Sequence, residues 1–239
     1  MAFPVRPIFR RARSRKQESI LTMTESNQGI VIRSQSGFYT VATANGQVTC
    51  HLRGRLKRGA HTGDVVAVGD RVEISLEGTQ GMIEKILPRQ RLFARMAPLP
   101  KGEYQQILIA NPDQVILVFS CAEPAPRLAM LDRFLVIAEK AAIPPVIVAN
   151  KTDLVGMPGA QELFATYTAL NYPVVFTSTK NKIGIEALHQ LLVGRITLFT
   201  GPSGVGKSSL LNAIQPGLGL AAREVSQATL KGRHTTVVR

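Results

Sequence analysis

Gly201-Pro202-Ser203-Gly204-Val205-Gly206-Lys207-Ser208 spells G-x-x-x-x-G-K-[ST] in full, with Ser209 immediately after it. Each position has a chemical reason. Glycines let the backbone curl until its N–H groups converge on phosphate oxygens, and a helix starting there adds the positive end of its dipole. Lys207 is placed to reach β- and γ-phosphates, and the Ser208 hydroxyl to ligate Mg²⁺. The motif works only between a strand and a helix. Ile196–Thr200 reads as that strand and Ser208–Ile214 as that helix.

A phosphate loop alone does not choose a base. Asn150-Lys151-Thr152-Asp153 does, because it follows the apolar run Pro145–Ala149, where ligands of open α/β sheets bind. The Asp153 carboxylate offers two coplanar acceptors, matching the N1–H and exocyclic amine that guanine has and adenine lacks. Lys151 lays its aliphatic stem along the base, and Asn150 braces the loop. Ser178-Thr179-Lys180 follows a further strand, Val174–Thr177, and provides a third segment whose backbone N–H meets the guanine oxygen. An ATP-using P-loop protein is disfavoured by Asp153.

Motif order is the unusual feature. The base segments stand at 150 and 178, ahead of the phosphate loop at 201, and no second phosphate loop occurs in residues 1–149. A tandem of ordinary nucleotide domains is thereby excluded. The chain reads as circularly permuted, the former last helix running straight into the former first strand.

These motifs need elements to hold them. From 105 onward, strands at Gln114–Ser120, Pro145–Ala149, Val174–Thr177 and Ile196–Thr200 alternate with helices at Met130–Ala142, Gly159–Leu170, Glu186–Val193 and Ser208–Ile214. Alternation of this kind gives a parallel sheet covered on both faces. Residues 23–95 read differently, as five or six short strands, with apolar pieces at 30–32, 38–41, 48–52, 65–68, 72–74 and 82–86. Turn material separates them, including Ser36-Gly37 and Asn45-Gly46. That pattern suggests a small barrel of the OB type. Two prolines and a glycine in 96–104 read as a linker between the two domains.

Charge and cysteine usage set the surroundings. The formal charge of +13 divides as +5 over residues 1–22, +4 over 23–100 and +4 over 101–239. A polyanion partner accounts for this, as does a merely basic surface. Arg53, Arg55, Lys57 and Arg58 would give the barrel a basic rim for RNA phosphates, or form a solvated loop. Residues 1–22 read as a basic tail: an appendage, a transit segment or an RNA-touching arm. An apolar content of 45% excludes a disordered chain, and no run approaches a membrane span. Cys50 and Cys121 are the two cysteines, too few and too far apart for a disulfide framework or zinc site, so a reducing, cytoplasmic compartment fits.

A permuted guanine-nucleotide domain behind a basic OB-type barrel resembles the small-subunit-dependent ribosome-biogenesis GTPases, the RsgA/YjeQ type. Beyond the motifs above, the resemblance rests on Asn111-Pro112-Asp113-Gln114-Val115, Leu131-Asp132-Arg133-Phe134-Leu135, Ser209-Leu210-Leu211-Asn212 and Gly232-Arg233-His234-Thr235-Thr236, with Arg53-Gly54-Arg55-Leu56 and Val68-Gly69-Asp70 in the barrel. It runs from about residue 28 to the last. It implies a GTP hydrolase, monomeric, that binds GTP or GDP with Mg²⁺ and acts on the small ribosomal subunit late in its maturation, with the barrel on rRNA.

It further implies that His234 orients the attacking water, with Thr235 or Thr236 joining Ser208 on Mg²⁺. The family continues into D-x-P-G and a Cys/His zinc-binding domain. Neither is within these 239 residues, so the expectation is a shortened version of a longer protein. In it the 232–236 switch is loosely held and turnover is low. The alternative is a guanine-nucleotide-dependent RNA-binding module without efficient turnover.

Overall fold

The computed structural model describes residues 28–57, 65–77, 80–96, 105–216 and 236–238. The expected tail, Arg58, His234, Thr235 and residues 97–104 of the expected linker lie outside them.

Alternating apolar residues and tight turns build the first unit. β1 (Gln28–Gln35) and β2 (Phe38–Thr43) are joined by Ser36-Gly37, whose φ values of +51° and +82° match the right-handed twist of a two-residue hairpin. β3 (Gly46–Leu52) follows after the Ala44-Asn45 turn, with Thr43 paired to Gly46. β4 (Arg71–Glu77) and β5 (Gln80–Ile86) complete a closed barrel of order β1-β2-β3-β5-β4. β4 returns antiparallel to β1, and β3 and β5 are parallel. Closure leaves no open sheet edge. Val31, Val41, Cys50, Leu52, Val72, Ile74 and Ile83 fill the interior. This is the expected OB-type barrel.

One expected strand is absent. Val65–Val68 is a bend and turn, though all four residues are apolar. Val66 and Ala67 are buried without sheet pairing. The reason is local: the Ala67 N–H donates to Asp70 Oδ2 at 2.8 Å, and Arg89 binds both Asp70 oxygens at 2.8 Å. Apolar composition reported burial there, and a side-chain network decided the conformation.

Also unforeseen is an antiparallel pair, β6 (Leu92–Met96) with β7 (Gln105–Ala110), in which Met96 opposes Gln105. Phe93 and Ile109 from this pair sit in the core of the second unit.

The second unit is a sheet of order β10-β9-β8-β11-β12, formed by β8 (Gln114–Ser120), β9 (Pro145–Asn150), β10 (Val174–Thr177), β11 (Thr197–Thr200) and β12 (Thr236–Val238). The first four are parallel. β8 is buried along its whole length, as a central strand covered on both faces must be. Its odd residues, Val115, Leu117 and Phe119, face the helices Leu128–Lys140 and Gly156–Leu163. Its even residues, Ile116 and Val118, face Leu188 of helix Ile185–Leu192 and Leu210 of helix Lys207–Ile214. Where a single helix is expected at Gly159–Leu170 there are two short ones, Gly156–Leu163 and Ala165–Ala169.

From β8 the chain runs outward through β9 to β10, then returns to place β11 on the other side of β8. Strand order therefore reverses between β8 and β11, where α/β sheets of this type bind ligands. β12 pairs antiparallel with β11, Thr236 opposite Phe199. The switch segment thus has strand pairing at its Thr236 end, contrary to the expectation of an unanchored loop.

Candidate nucleotide site

The expected base and phosphate segments, 150–153, 178–180 and 201–209, lie at the carboxyl ends of β9, β10 and β11. Gly201 leaves β11 with φ +147°, and a Cβ there would lie 2.1 Å from the Val118 carbonyl oxygen. Gly206 has φ +93°, and a Cβ there would lie 2.4 Å from Asn150 Nδ2. Both positions therefore require glycine, for close approach as well as for backbone sign. Between them Val205 is buried, Pro202 and Gly204 are half-buried and Ser203 is exposed. Helix Lys207–Ile214 starts directly after, one residue earlier than expected, with Ser208 and Ser209 half-buried in its first turn.

Lys207 is 6% exposed. Its Nζ donates to the carbonyls of Gly201 at 3.0 Å and Pro202 at 2.6 Å, spanning the loop. Burial pushes its ammonium down to about 8. A buried cation facing only carbonyl dipoles gains most from a second, fully charged acceptor. The glycine cradle and this cation fit a polyphosphate.

Asn150 closes the gap between base loop and phosphate loop. Its Nδ2 donates to the Val205 carbonyl at 2.8 Å, and its Oδ1 accepts from Thr177 Oγ1 at 3.0 Å. Thr152, also buried, donates from Oγ1 to the Thr177 carbonyl at 3.2 Å. Lys151 adopts φ +63° and its Nζ donates to the Glu123 carbonyl. Burial lowers its pKa, while the charges of Glu123 and Asp153 oppose that shift. Asp153 accepts from Ser178 Oγ at 2.6 Å, which leaves the rest of the carboxylate edge for a ligand. Thr179 is half-buried and Lys180 exposed in the turn that follows.

Two residues of this assembly carried no sequence signal. Thr177 reads as an ordinary strand end, yet it links Asn150 to Thr152. Ser120 donates to the Pro124 carbonyl at 2.6 Å, which shapes the turn whose Glu123 carbonyl meets Lys151. Neither side chain belongs to a motif: Thr177 acts across neighbouring strands, and Ser120 within the turn that follows its own strand.

Arg53 and Arg55, flanking and within the short helix Gly54–Lys57, converge on one carboxylate. Arg53 pairs with Glu84 Oε2, and Arg55 lies 3.3 Å from the same oxygen. Ser75 Oγ donates to the other oxygen at 2.8 Å. Hydrogen bonds from Arg53 and Ser75 hold the Glu84 carboxyl below its usual range. Both arginines remain half or more exposed, 51% and 65%. Two cations against one anion leave a net positive surface.

The cysteines do not fit zinc. Cys50 lies in the barrel core and Cys121 beside β8 in the other, both buried and free. Burial raises both thiols to about 11. Among the described residues no cluster of three His, Cys, Asp or Glu side chains could hold a metal, and no helix is long and apolar enough to cross a membrane.

Comparison with known families decides the class. The sequence model described as RsgA GTPase matches residues 86–239, and that described as RsgA N-terminal domain matches residues 28–83. The chain belongs to the RsgA GTPase family.

Among its RsgA relatives, the small ribosomal subunit biogenesis GTPase RsgA of Gemmatimonas aurantiaca is 46% identical over 220 residues, covering 90% of this chain and 71% of that protein. The RsgA of Thermotoga maritima is 40% identical over 220 residues, covering 90% and 70%. The crystal structure of YjeQ from Thermotoga maritima superposes with a TM-score of 0.65 at 40% identity, over 82% of this chain and 67% of that one. YloQ, described as a circularly permuted GTPase, gives a TM-score of 0.60 at 31% identity, over 86% and 68%. The RsgA fold expected from the motifs, a barrel followed by a permuted GTPase sheet, is the fold observed. As a member of a GTPase family, the chain is a GTP hydrolase that binds guanine nucleotide.

Proposed function

We propose that this chain couples GTP binding and hydrolysis to late maturation of the small ribosomal subunit, as a monomer in the cytoplasm. The barrel engages rRNA through Arg53, Arg55, Lys57 and Arg58. The observation that carries the reading is the Asn150–Val205 hydrogen bond, which joins the guanine loop to the phosphate loop at the sheet's ligand-binding edge.

Asn150–Asp153 and Ser178–Lys180 hold the base, with Asp153 pairing its Watson–Crick edge. Gly201–Ser209 wraps the phosphates, and Lys207 neutralises the charge that develops on them. Ser208, with Thr235 or Thr236, would hold Mg²⁺, which would supply positive charge against the phosphates. His234 orients the attacking water, a task suited to an imidazole nitrogen that accepts a hydrogen bond.

The test is GTP turnover measured with and without purified small subunits. Stimulation by subunits is the expected result. His234→Ala should lower stimulated turnover by roughly 10²-fold or more with GDP affinity nearly unchanged. Tight GDP binding without turnover under any condition would instead leave the chain a nucleotide-dependent RNA-binding module.

A further inference from the structure

Two motifs are left over by the nucleotide chemistry: Val68-Gly69-Asp70 in the barrel and Asn111-Pro112-Asp113 ahead of β8. They meet. The Ala110 N–H donates to the Val68 carbonyl at 2.8 Å, and Asn111 Nδ2 donates to the Gly69 carbonyl at 3.1 Å. Gly69 has φ +90°, and a Cβ there would lie 1.9 Å from the Ala110 carbonyl oxygen. The other end of the Asn111 amide is also used, with Oδ1 accepting from the Gln90 N–H at 2.8 Å. The Asn111 N–H donates to the Arg91 carbonyl at 2.9 Å. Asn111 has φ +50°, a backbone state asparagine tolerates better than most residues.

Each side of this joint is stiff. On the barrel side the Gly69 N–H donates to the Val31 carbonyl at 2.7 Å, and the Val31 N–H donates to the Asp70 carbonyl at 2.9 Å. Asp70 is fully buried in a two-pronged pair with Arg89. Toward the nucleotide, Asp113 and Ile196 exchange two hydrogen bonds, at 2.8 Å from the Asp113 N–H and 2.7 Å to Asp113 Oδ2. Ile196 immediately precedes the strand Thr197–Thr200, and Gly201 follows its end. Gln114 is buried and ties β8 to Thr197 Oγ1 at 3.0 Å and to the Leu191 carbonyl at 2.6 Å.

We propose that Asn111 is a positioning residue. With Gly69 it fixes the barrel to the strands that carry the phosphate loop, so that a polyanion held on the barrel sets the state of the nucleotide site. The coupling is reciprocal: bound nucleotide must then act on the barrel joint. The proposal rests on the functional reading above.

Its test uses Asn111→Gly, which keeps the left-handed backbone and removes both side-chain bonds, and Asn111→Asp, which keeps the acceptor and loses the donor. Amide hydrogen exchange is followed with and without GDP. In the parent, GDP should slow exchange at residues 201–208 and also at Gly69 and Ala110. In Asn111→Gly the phosphate-loop protection should persist while the response at Gly69 is lost, and Asn111→Asp should fall between.

Subunit-stimulated turnover should fall roughly tenfold in Asn111→Gly, inside the ~5–150-fold span typical of coupled sites, with subunit and GDP affinity near the parent's. Equal Gly69 protection in parent and variant overturns the joint, as does Gly69 protection absent from the parent while the phosphate loop is protected. No protection at the phosphate loop would sink the nucleotide reading and the joint with it.

Discussion

Asn150 donates from Nδ2 to the Val205 carbonyl at 2.8 Å, although the two residues lie 55 positions apart in sequence. The amide is buried and both of its ends are engaged. Replacing it with alanine leaves the Val205 carbonyl and the Thr177 hydroxyl without that partner. Unsatisfied buried groups cost about 1–3 kcal/mol. Asn150→Ala should therefore weaken GDP roughly 5–150-fold, read by titration with a fluorescent nucleotide. Parent-like affinity would mean that the two loops are held together by something else.

Asp153 should carry base selectivity. Asp153→Asn exchanges a double acceptor for a mixed donor and acceptor, so it should weaken GDP and favour xanthosine diphosphate. Sites built to pair polar edges discriminate by about 10⁴–10⁵. Ser178→Ala, which removes the 2.6 Å bond to Oδ1, should cost less, roughly tenfold. The readout is competition between the two diphosphates.

These two residues also mark what the sequence conveyed. Asp153 was legible because its motif is contiguous and follows an apolar strand. Asn150 was legible as a brace, but its partner Val205 was not, since nothing local in Gly-Val-Gly points across the sheet. Four apolar residues at 65–68 read as a strand, because burial and pairing give the same composition. The β6–β7 pair was hidden because Leu92–Met96 and Gln105–Ala110 are separated by prolines and a glycine, which signal only a break in regular structure. Asn111 and Gly69 were recognised only as parts of family motifs. Their contact joins positions 42 residues apart, a separation that hydrophobic periodicity does not encode.

Lys207 gives nucleotide binding a pH dependence. Burial holds its ammonium down to about 8, against 10.5 for the ordinary group. Between those values the unfolded chain binds the extra proton, so the ligand-free fold gains stability as pH rises from 8 toward 10.5. Nucleotide acts oppositely: bound phosphate favours the protonated lysine, so binding above pH 8 takes up a proton. GDP affinity should fall as pH rises past 8, by at most about tenfold per unit. Calorimetry in buffers of different ionisation heat should detect the uptake, and Lys207→Met should abolish it. Proton release on binding would contradict this placement of the ammonium.

Glu84 should restrain the barrel's attraction for RNA. It draws Arg53 and Arg55 onto one carboxylate, so Glu84→Gln should tighten RNA binding at low salt and steepen its salt dependence. Replacing Arg53, Arg55 and Lys57 together should do the reverse. Each lost phosphate contact removes about 0.9 from the slope of log affinity against log salt. An unchanged slope in the triple variant would move the RNA contact elsewhere on the molecule.

The sheet order described above also fixes a sequence of events during synthesis. β8, β9 and β10 are consecutive in the chain, and the segment through Lys180 is made before Gly201 is added. Asn150, Asp153 and Ser178 are thus made before the strand that leads to Gly201. At that stage the Val205 carbonyl, to which Asn150 donates, has not yet been made. The two groups of motif residues can come together only once Thr197–Thr200 has paired with β8, so the site is the last part of the sheet to be completed.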